Sequence, residues 1–229
     1  MMTRLLKLAL RALPAAALIL ASCASMHFGQ GGWKPLFNGK DMSAWRGYQT
    51  QDLPKGWFVE NGEIVKKGTA GDILTKETFG DFELGLEWKL EKGGNAGIFY
   101  RATEEYEKIY WSGTEYQLLD DPNAPDGRTR MTSAAAAYGI YPSAEGALKP
   151  AGEWQSTRIV VKNNHVEHYL NGTKVVEYEL WSADWKAKVA ASKFAKWPHY
   201  GLAARGAIGI QGDHNGALSL RNIRIRPLN

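Results

Sequence analysis

The sequence predicts an all-β fold: a two-sheet antiparallel sandwich or jelly roll carrying one short helical insert. Three observations point there. Phe82, Leu84, Leu86, Trp88 and Leu90 alternate with Glu83, Gly85, Glu87 and Lys89, which is the period of a half-buried strand. The apolar segments 159–161 and 166–170 are joined through Asn163-Asn164, and Asn171-Gly172 then leads into Lys174-Val175-Val176. Asn-Gly between apolar runs is the strongest short hairpin signal, because both residues tolerate the positive φ of a tight turn. Similar punctuation recurs at Asn38-Gly39, Asn61-Gly62 and Gly93-Gly94, and residues 218–225 close the chain with another alternating segment. Residues 182–196 break the pattern. They are rich in Ala and Lys, open with Ser182 and Asp184, and place Trp185 and Val189 four apart, which predicts a single amphipathic helix across the stretch.

The N-terminus reads as an address. Arg4, Lys7 and Arg11 precede an apolar run ending at Ala21, followed by Ser22 and Cys23. A basic start, a short apolar core and small residues at a cleavage point describe a secretory signal over residues 1–22, and the run is too short for an ordinary membrane span. Leu20-Ala21-Ser22-Cys23 resembles a bacterial lipobox, which implies cleavage before Cys23 and lipid on its thiol and new amino group. Residues 23–32 then form a tether, and residues 33–229 a single domain. Ala24, rather than an aspartate, favours the outer membrane over retention at the inner one; either way the expectation is an exported lipoprotein facing the periplasm. Losing Arg4, Lys7 and Arg11 brings the net charge of +4 close to neutrality, and no Lys/Arg run remains to suggest nucleic-acid binding. The lone cysteine excludes an intramolecular disulfide and a Cys-based zinc site.

The motifs become recognisable as a set. Trp33-Lys34-Pro35-Leu36-Phe37-Asn38-Gly39-Lys40-Asp41 and Trp45 are followed by Gly93-Gly94-Asn95-Ala96-Gly97-Ile98-Phe99-Tyr100-Arg101 and Glu115-Tyr116-Gln117-Leu118-Leu119-Asp120-Asp121. Pro150-Ala151-Gly152-Glu153-Trp154, Gly209-Ile210-Gln211-Gly212-Asp213-His214 and Arg221-Asn222-Ile223-Arg224-Ile225 complete the order. Together they resemble the 3-keto-disaccharide hydrolase domain family. The resemblance implies a concanavalin-like jelly roll with its site on the concave sheet. It also implies a carbohydrate substrate already oxidised at C3, cleavage by elimination and hydration, and a functional link to a sugar 3-dehydrogenase.

The residues themselves narrow the chemistry. Glu115 and Gln117 are two apart, so a strand puts them on one face. A retaining glycosidase needs two carboxylates about 5 Å apart, and an amide cannot replace the nucleophile. A 3-keto sugar needs less: one group to take the acidified C2 proton, one to protonate the departing C1 oxygen, and a stabiliser for the enolate. Glu115 and His214 are the candidates for base and acid, in either order, and Arg101 the candidate stabiliser, on the same face as Gly97, which leaves room for a ligand. Asp120 and Glu87 are further catalytic candidates, although Asp120 can serve a turn and Glu87 can pair with Arg101. Asn95, Gln117, Tyr138, Trp154, Gln211 and Arg221 are candidate sugar binders. Glu87, Glu115 and Asp120 could also hold a divalent metal through oxygen ligands. His165 and His168 flank a hairpin and read as structural. A non-catalytic glycan-binding module on the same scaffold is the alternative; it would need no clustered acid, base and arginine.

The lipobox reading makes one direct prediction. Cys23→Ala should leave the protein unlipidated and released from membranes, as fractionation would show. Mass spectrometry that finds an unmodified Cys23 on the exported wild-type protein would refute it.

Overall fold

The computed structural model describes residues 32–228. The expected signal segment 1–22 and Cys23 lie outside the described residues.

Two antiparallel sheets form the sandwich. The larger runs in the order β11 (Thr173–Glu179), β10 (His165–Leu170), β9 (Gln155–Lys162), β6 (Phe82–Leu90), β13 (Leu218–Pro227), β4 (Glu63–Lys66) and β3 (Trp57–Glu60), with β1 (Lys34–Pro35) also paired to β13. The smaller runs β2 (Trp45–Gly47), β5 (Ile73–Phe79), β12 (Gly206–Ile210), β7 (Asn95–Ala102) and β8 (Thr114–Leu119). The all-β expectation holds, and the Asn-Gly signal is read correctly: Asn171 and Gly172 both take positive φ, 49° and 88°, in the β10–β11 turn.

Alternation builds the core. Phe82, Leu84, Leu86 and Trp88 of β6, with Ile159 and Val161 of β9, face Ile98, Tyr100, Tyr116 and Leu118 of the smaller sheet, all of them buried. Each such side chain contributes about 1.5–3 kcal/mol on burial. A directed polar chain runs through this layer. Trp88 Nε1 donates to Thr157 Oγ1 (2.9 Å), Thr157 to the Tyr116 hydroxyl (2.9 Å), and Tyr116 to the Tyr169 carbonyl (3.1 Å).

Beside it His168 is fully buried. Its Nδ1 lies 2.8 Å from the Ala135 carbonyl and therefore carries the proton, while Nε2 accepts from the Tyr100 hydroxyl at 2.9 Å. One neutral imidazole thus ties the larger sheet, the smaller sheet and the loop at 135.

The helical insert is shorter than expected. Ser182 caps α1 (Ala183–Ala191), accepting from Trp185 N at 3.1 Å, as its position predicts. The helix then stops at Ser192, whose hydroxyl donates to the Val189 carbonyl (2.8 Å) and accepts from Phe194 N (3.1 Å). The chain restarts as a 3-10 turn over Lys193–Lys196. The break lets Phe194 reach the core, where its ring stacks on Tyr200 at 4.2 Å.

Burial pushes the His168 imidazole down to about 4 from its ordinary 6.5. Below pH 6.5 the unfolded chain takes up this proton and the native state does not, so stability falls as pH drops through that window. The expected slope for this one group is about 1.4 kcal/mol per pH unit. Urea denaturation across pH 4–7 should show it as the difference between wild type and a His168 variant. His168→Gln should remove that component and lower the plateau by about 1–3 kcal/mol, because its partners lose their hydrogen bonds.

Candidate active site

Three neighbouring strands of the smaller sheet supply a polar floor. Asn95 comes from β7, Glu115 and Gln117 from β8, and Gln211 follows β12. Period two puts Glu115 and Gln117 on this face, while Tyr116 and Leu118 point into the core. Gly97 is paired to Gln117, and a Cβ on it would lie 2.2 Å from Glu115 Oε1. The space expected to admit a ligand is therefore taken by the Glu115 side chain, which lies back across the glycine. With its carboxamide nitrogen turned toward acceptors, Gln117 donates to Glu115 Oε1 at 3.0 Å and to the Ala96 carbonyl at 3.1 Å. Burial pushes the Glu115 carboxyl up to about 8; nearby Lys193 opposes the shift, and Asp213, Asp126 and Asp72 add to it.

The walls come from loops. Tyr110, Asp126, Tyr138, Lys193, Asp213 and His214 surround a cavity of 230 Å³ above that floor. The 133–138 loop is laid along β8 by backbone hydrogen bonds: Ala135 N to Gln117 O (2.8 Å), Gln117 N to Ala136 O (3.2 Å) and Tyr138 N to Glu115 O (3.1 Å). Tyr138 then donates to Asp126 Oδ2 at 3.2 Å. The 212–216 loop is pinned twice. Asp72, itself pushed up to about 6 by burial, accepts from Gly212 N at 2.8 Å. The buried Lys66 ammonium donates to the carbonyls of Gly68, His214 and Gly216 at 2.8, 2.6 and 3.0 Å. His214 is half-buried in the cavity wall, its Nε2 4.0 Å from Asp213 Oδ1. Gln211 Oε1 and Asp213 Oδ1 are buried without a hydrogen-bond partner among the described residues.

Several candidate residues lie elsewhere. Arg101 sits in a β-bulge of β7, where the pairing to β12 slips and its φ is 51°. The bulge turns it off the Gly97 face. Its guanidinium instead bridges the two sheets, donating to the Gly80 carbonyl (3.0 Å), Asp81 Oδ1 (2.9 Å) and the Asn163 carbonyl (3.0 Å). Glu87, Arg221 and Trp154 do meet, but around the larger sheet: Arg221 Nε donates to Glu87 Oε2 at 2.6 Å, and its guanidinium lies 3.9 Å from the Trp154 ring centre. Glu87 pairs with Arg221 and not with Arg101. Asp120 lies beyond β8 and organises turns, accepting from Gly93 N (2.7 Å) and Asn123 Nδ2 (2.8 Å).

The Glu87, Glu115 and Asp120 trio therefore occupies three separate places and forms no metal site. Among the described residues, His165, Glu167 and Glu177 do bring ligand atoms within 4.8 Å, at the surface hairpin, where Lys174 already bridges both glutamates. Four cavity residues escaped the sequence reading: Tyr110, Asp126, Lys193 and Asp213. Asp213 alone had a signal, as the neighbour of His214 inside a quoted motif.

A β-sandwich whose face holds a polar cavity, a buried acid of raised pKa and unpartnered acceptors has the features of an active site for a polar ligand. Comparison with known proteins narrows it. Residues 32–226 match the family described as the 3-keto-alpha-glucoside-1,2-lyase-like domain, and the chain belongs to that family. It is 37% identical to a 3-keto-disaccharide hydrolase of Bacteroides thetaiotaomicron, over 86% of this chain and 79% of that one. It is also similar to a crystal structure of a candidate glycosyl hydrolase from Parabacteroides distasonis, with a TM-score of 0.82 and 34% identity over 86% of this chain and 94% of that one. A Bacillus licheniformis β-glucanase shares the fold alone, with a TM-score of 0.54 and 12% identity over 88% of this chain and 100% of that one.

The raised Glu115 ionisation has a thermodynamic signature. Between its ordinary 4.5 and about 8 the native state holds a proton that the unfolded chain has lost, so stability falls as pH rises through this window. Glu115→Gln abolishes that titration. The variant should therefore gain on wild type by about 1.4 kcal/mol per pH unit between those values and hold the difference above pH 8. Equal pH profiles in denaturant melts would show that Glu115 ionises normally.

Proposed function

We propose that the protein cleaves the glycosidic bond of 3-keto-glycosides in this cavity, by elimination followed by hydration. The observation that carries the reading is Glu115: a buried carboxyl held protonated near neutrality, facing a polar cavity, with an amide and not a second carboxylate beside it on the strand. Family membership and the named relative support the same substrate class.

Each residue then has a task. His214 in the cavity wall takes the C2 proton, whose acidity comes from the C3 ketone. The electron pair moves onto the ketone oxygen as an enolate. Its collapse expels the C1 oxygen, to which Glu115 gives its proton, leaving an unsaturated 3-keto sugar. Water adds to C1, a proton returns to C2, and the net reaction is hydrolysis. Proton transfer from a positioned side chain contributes typically about 10²–10⁴-fold. Gln211, Asn95, Gln117 and Tyr138 bind hydroxyls around it. The substrate must be supplied by an enzyme that oxidises a sugar at C3, and a lipid on Cys23 would hold the catalyst at the membrane on the periplasmic side.

One observation favours a second reading. Asp126 and Asp213 bring carboxylates to the cavity that the strand pattern did not provide, which is what an ordinary two-carboxylate glycosidase requires.

Substrates separate the two. Wild type should cleave a 3-keto-disaccharide, place deuterium at C2 of the product in heavy water, and ignore the unoxidised disaccharide; efficient cleavage of the latter would end the elimination reading. Glu115→Gln should slow cleavage by about 10²-fold or more while C2 exchange persists, whereas His214→Ala should lose exchange as well. The reverse pattern would swap the two roles.

A further inference from the structure

The cavity has a charge polarity that the functional reading leaves unused. Lys193 is the one lysine or arginine among the residues lining it, facing Glu115, Asp126 and Asp213. Some surface lysines are neutralised by acids, as Lys174 is by Glu167 and Glu177, or Lys188 by Asp184. Lys193 forms no ion pair among the described residues, and its ammonium lies over the Tyr138 ring, 4.3 Å from the centroid. An aromatic face attracts an ammonium without neutralising it.

The fold holds this arrangement from both sides. Tyr138 is fixed to β8 through Glu115 O and to Asp126 through its hydroxyl. Lys193 opens the 3-10 turn that Ser192 caps, and the next residue, Phe194, is anchored in the core. Phe194 packs beside Gly139, where φ is +71° and a Cβ would stand 3.3 Å from the Phe194 ring. Tyr138-Gly139 and Lys193-Phe194 are therefore zipped together, ring under ammonium and glycine against ring. Elsewhere in the cavity Gln211 Oε1 and Asp213 Oδ1 are buried acceptors with nothing to accept from, although Gln211 is only 5% exposed. Leaving such groups without a donor is unfavourable, and a ligand's hydroxyls would supply the missing hydrogen bonds.

We propose that Lys193 is a catalytic residue whose ammonium receives the ketone oxygen of the substrate, while Gln211 and Asp213 receive its hydroxyls. This rests on the 3-keto reading above. It assigns the enolate-stabilising role that Arg101, tied to Asp81 and two carbonyls, does not fill. When the C2 proton leaves, the electron pair arrives on the ketone oxygen beside a positive charge already in place. Bound sugar covers the exposed ammonium, and excluding water strengthens the attraction as the oxygen becomes negative. The combination selects substrates that carry both a carbonyl for the ammonium and hydroxyl donors for Gln211 and Asp213. Lys193 and Glu115 line the same cavity, and Lys193 is the charge that opposes the rise of the Glu115 carboxyl.

The test isolates enolate formation from bond cleavage. A 3-keto-monosaccharide without a leaving group is incubated in heavy water, and deuterium at C2 is followed by NMR for wild type, Lys193→Met and Lys193→Arg. Cleavage of a 3-keto-disaccharide is measured in parallel. Lys193→Met should lose exchange and kcat together by about 10²–10³-fold, and Lys193→Arg should recover at least about tenfold of that loss. Circular dichroism should show both variants folded. A readout independent of turnover is the Glu115 ionisation, taken from stability against pH: it should move upward in Lys193→Met, since the opposing charge is gone. Exchange within a few-fold of wild type in Lys193→Met, with wild type active, would overturn the role of Lys193 and leave the functional reading intact. Wild type that neither exchanges nor cleaves would instead remove the functional reading itself.

Discussion

His168 Nδ1 donates to the carbonyl of Ala135, and that bond joins the interior of the sandwich to the wall of its cavity. Ala135 has a positive φ of 65°, which a non-glycine residue holds only when its surroundings impose it. Here they do: its N–H donates to Gln117 O and its carbonyl accepts from the buried imidazole. The loop is thus held flat along β8, its next turn carries Tyr138 over the floor, and β8 gains a covering segment on its free edge. The imidazole must stay neutral for this, because Nε2 accepts from Tyr100. Burial enforces that neutrality.

The same water exclusion acts in opposite senses on two titratable groups. It holds His168 deprotonated and Glu115 protonated, since in each case it disfavours the charged form. Acidification therefore strains the imidazole and alkalinisation strains the carboxyl. Their windows overlap between pH 4.5 and 6.5, where the two slopes oppose each other and their joint contribution stays nearly flat. His168 offsets this with two hydrogen bonds, to the Ala135 carbonyl and the Tyr100 hydroxyl. Glu115 gains only an amide on one oxygen, so its burial is a net penalty that structure alone does not explain. A group kept in an unfavourable environment beside a cavity is a mark of a functional site.

What the sequence made legible is what strand periodicity governs. Alternation alone places Tyr116 and Leu118 inside and Glu115 and Gln117 outside, and the motif order singles out Asn95 and Gln211. Periodicity cannot say which of two sheets an outward residue belongs to. Glu87, Arg221 and Trp154 consequently prove to share a neighbourhood, but on the sheet without the cavity. It is equally blind to a bulge: one extra residue in β7 reverses the face of Arg101 and converts a candidate oxyanion holder into a tie between sheets. Lys193 and Asp126 come from an insert and a loop whose positions depend on distant anchors, Phe194 on Tyr200 and Tyr138 on Asp126.

That division has a chemical consequence for the scaffold. The sheet supplies a floor of acid and amides spaced by strand geometry, and a β-glucanase shares this architecture at 12% identity without licensing any common reaction. The charges facing the floor arrive from outside the strands: Lys193 from the insert, Asp126 from the turns after β8, Asp213 and His214 from the loop after β12. Each is fixed by a local device, a serine cap, a tyrosine hydroxyl, or a buried carboxyl and ammonium gripping backbone. Changing a loop would therefore alter which proton moves and where negative charge is stabilised, while the floor and the His168 lock remained as they are. The sandwich fixes distance, and the loops decide the reaction.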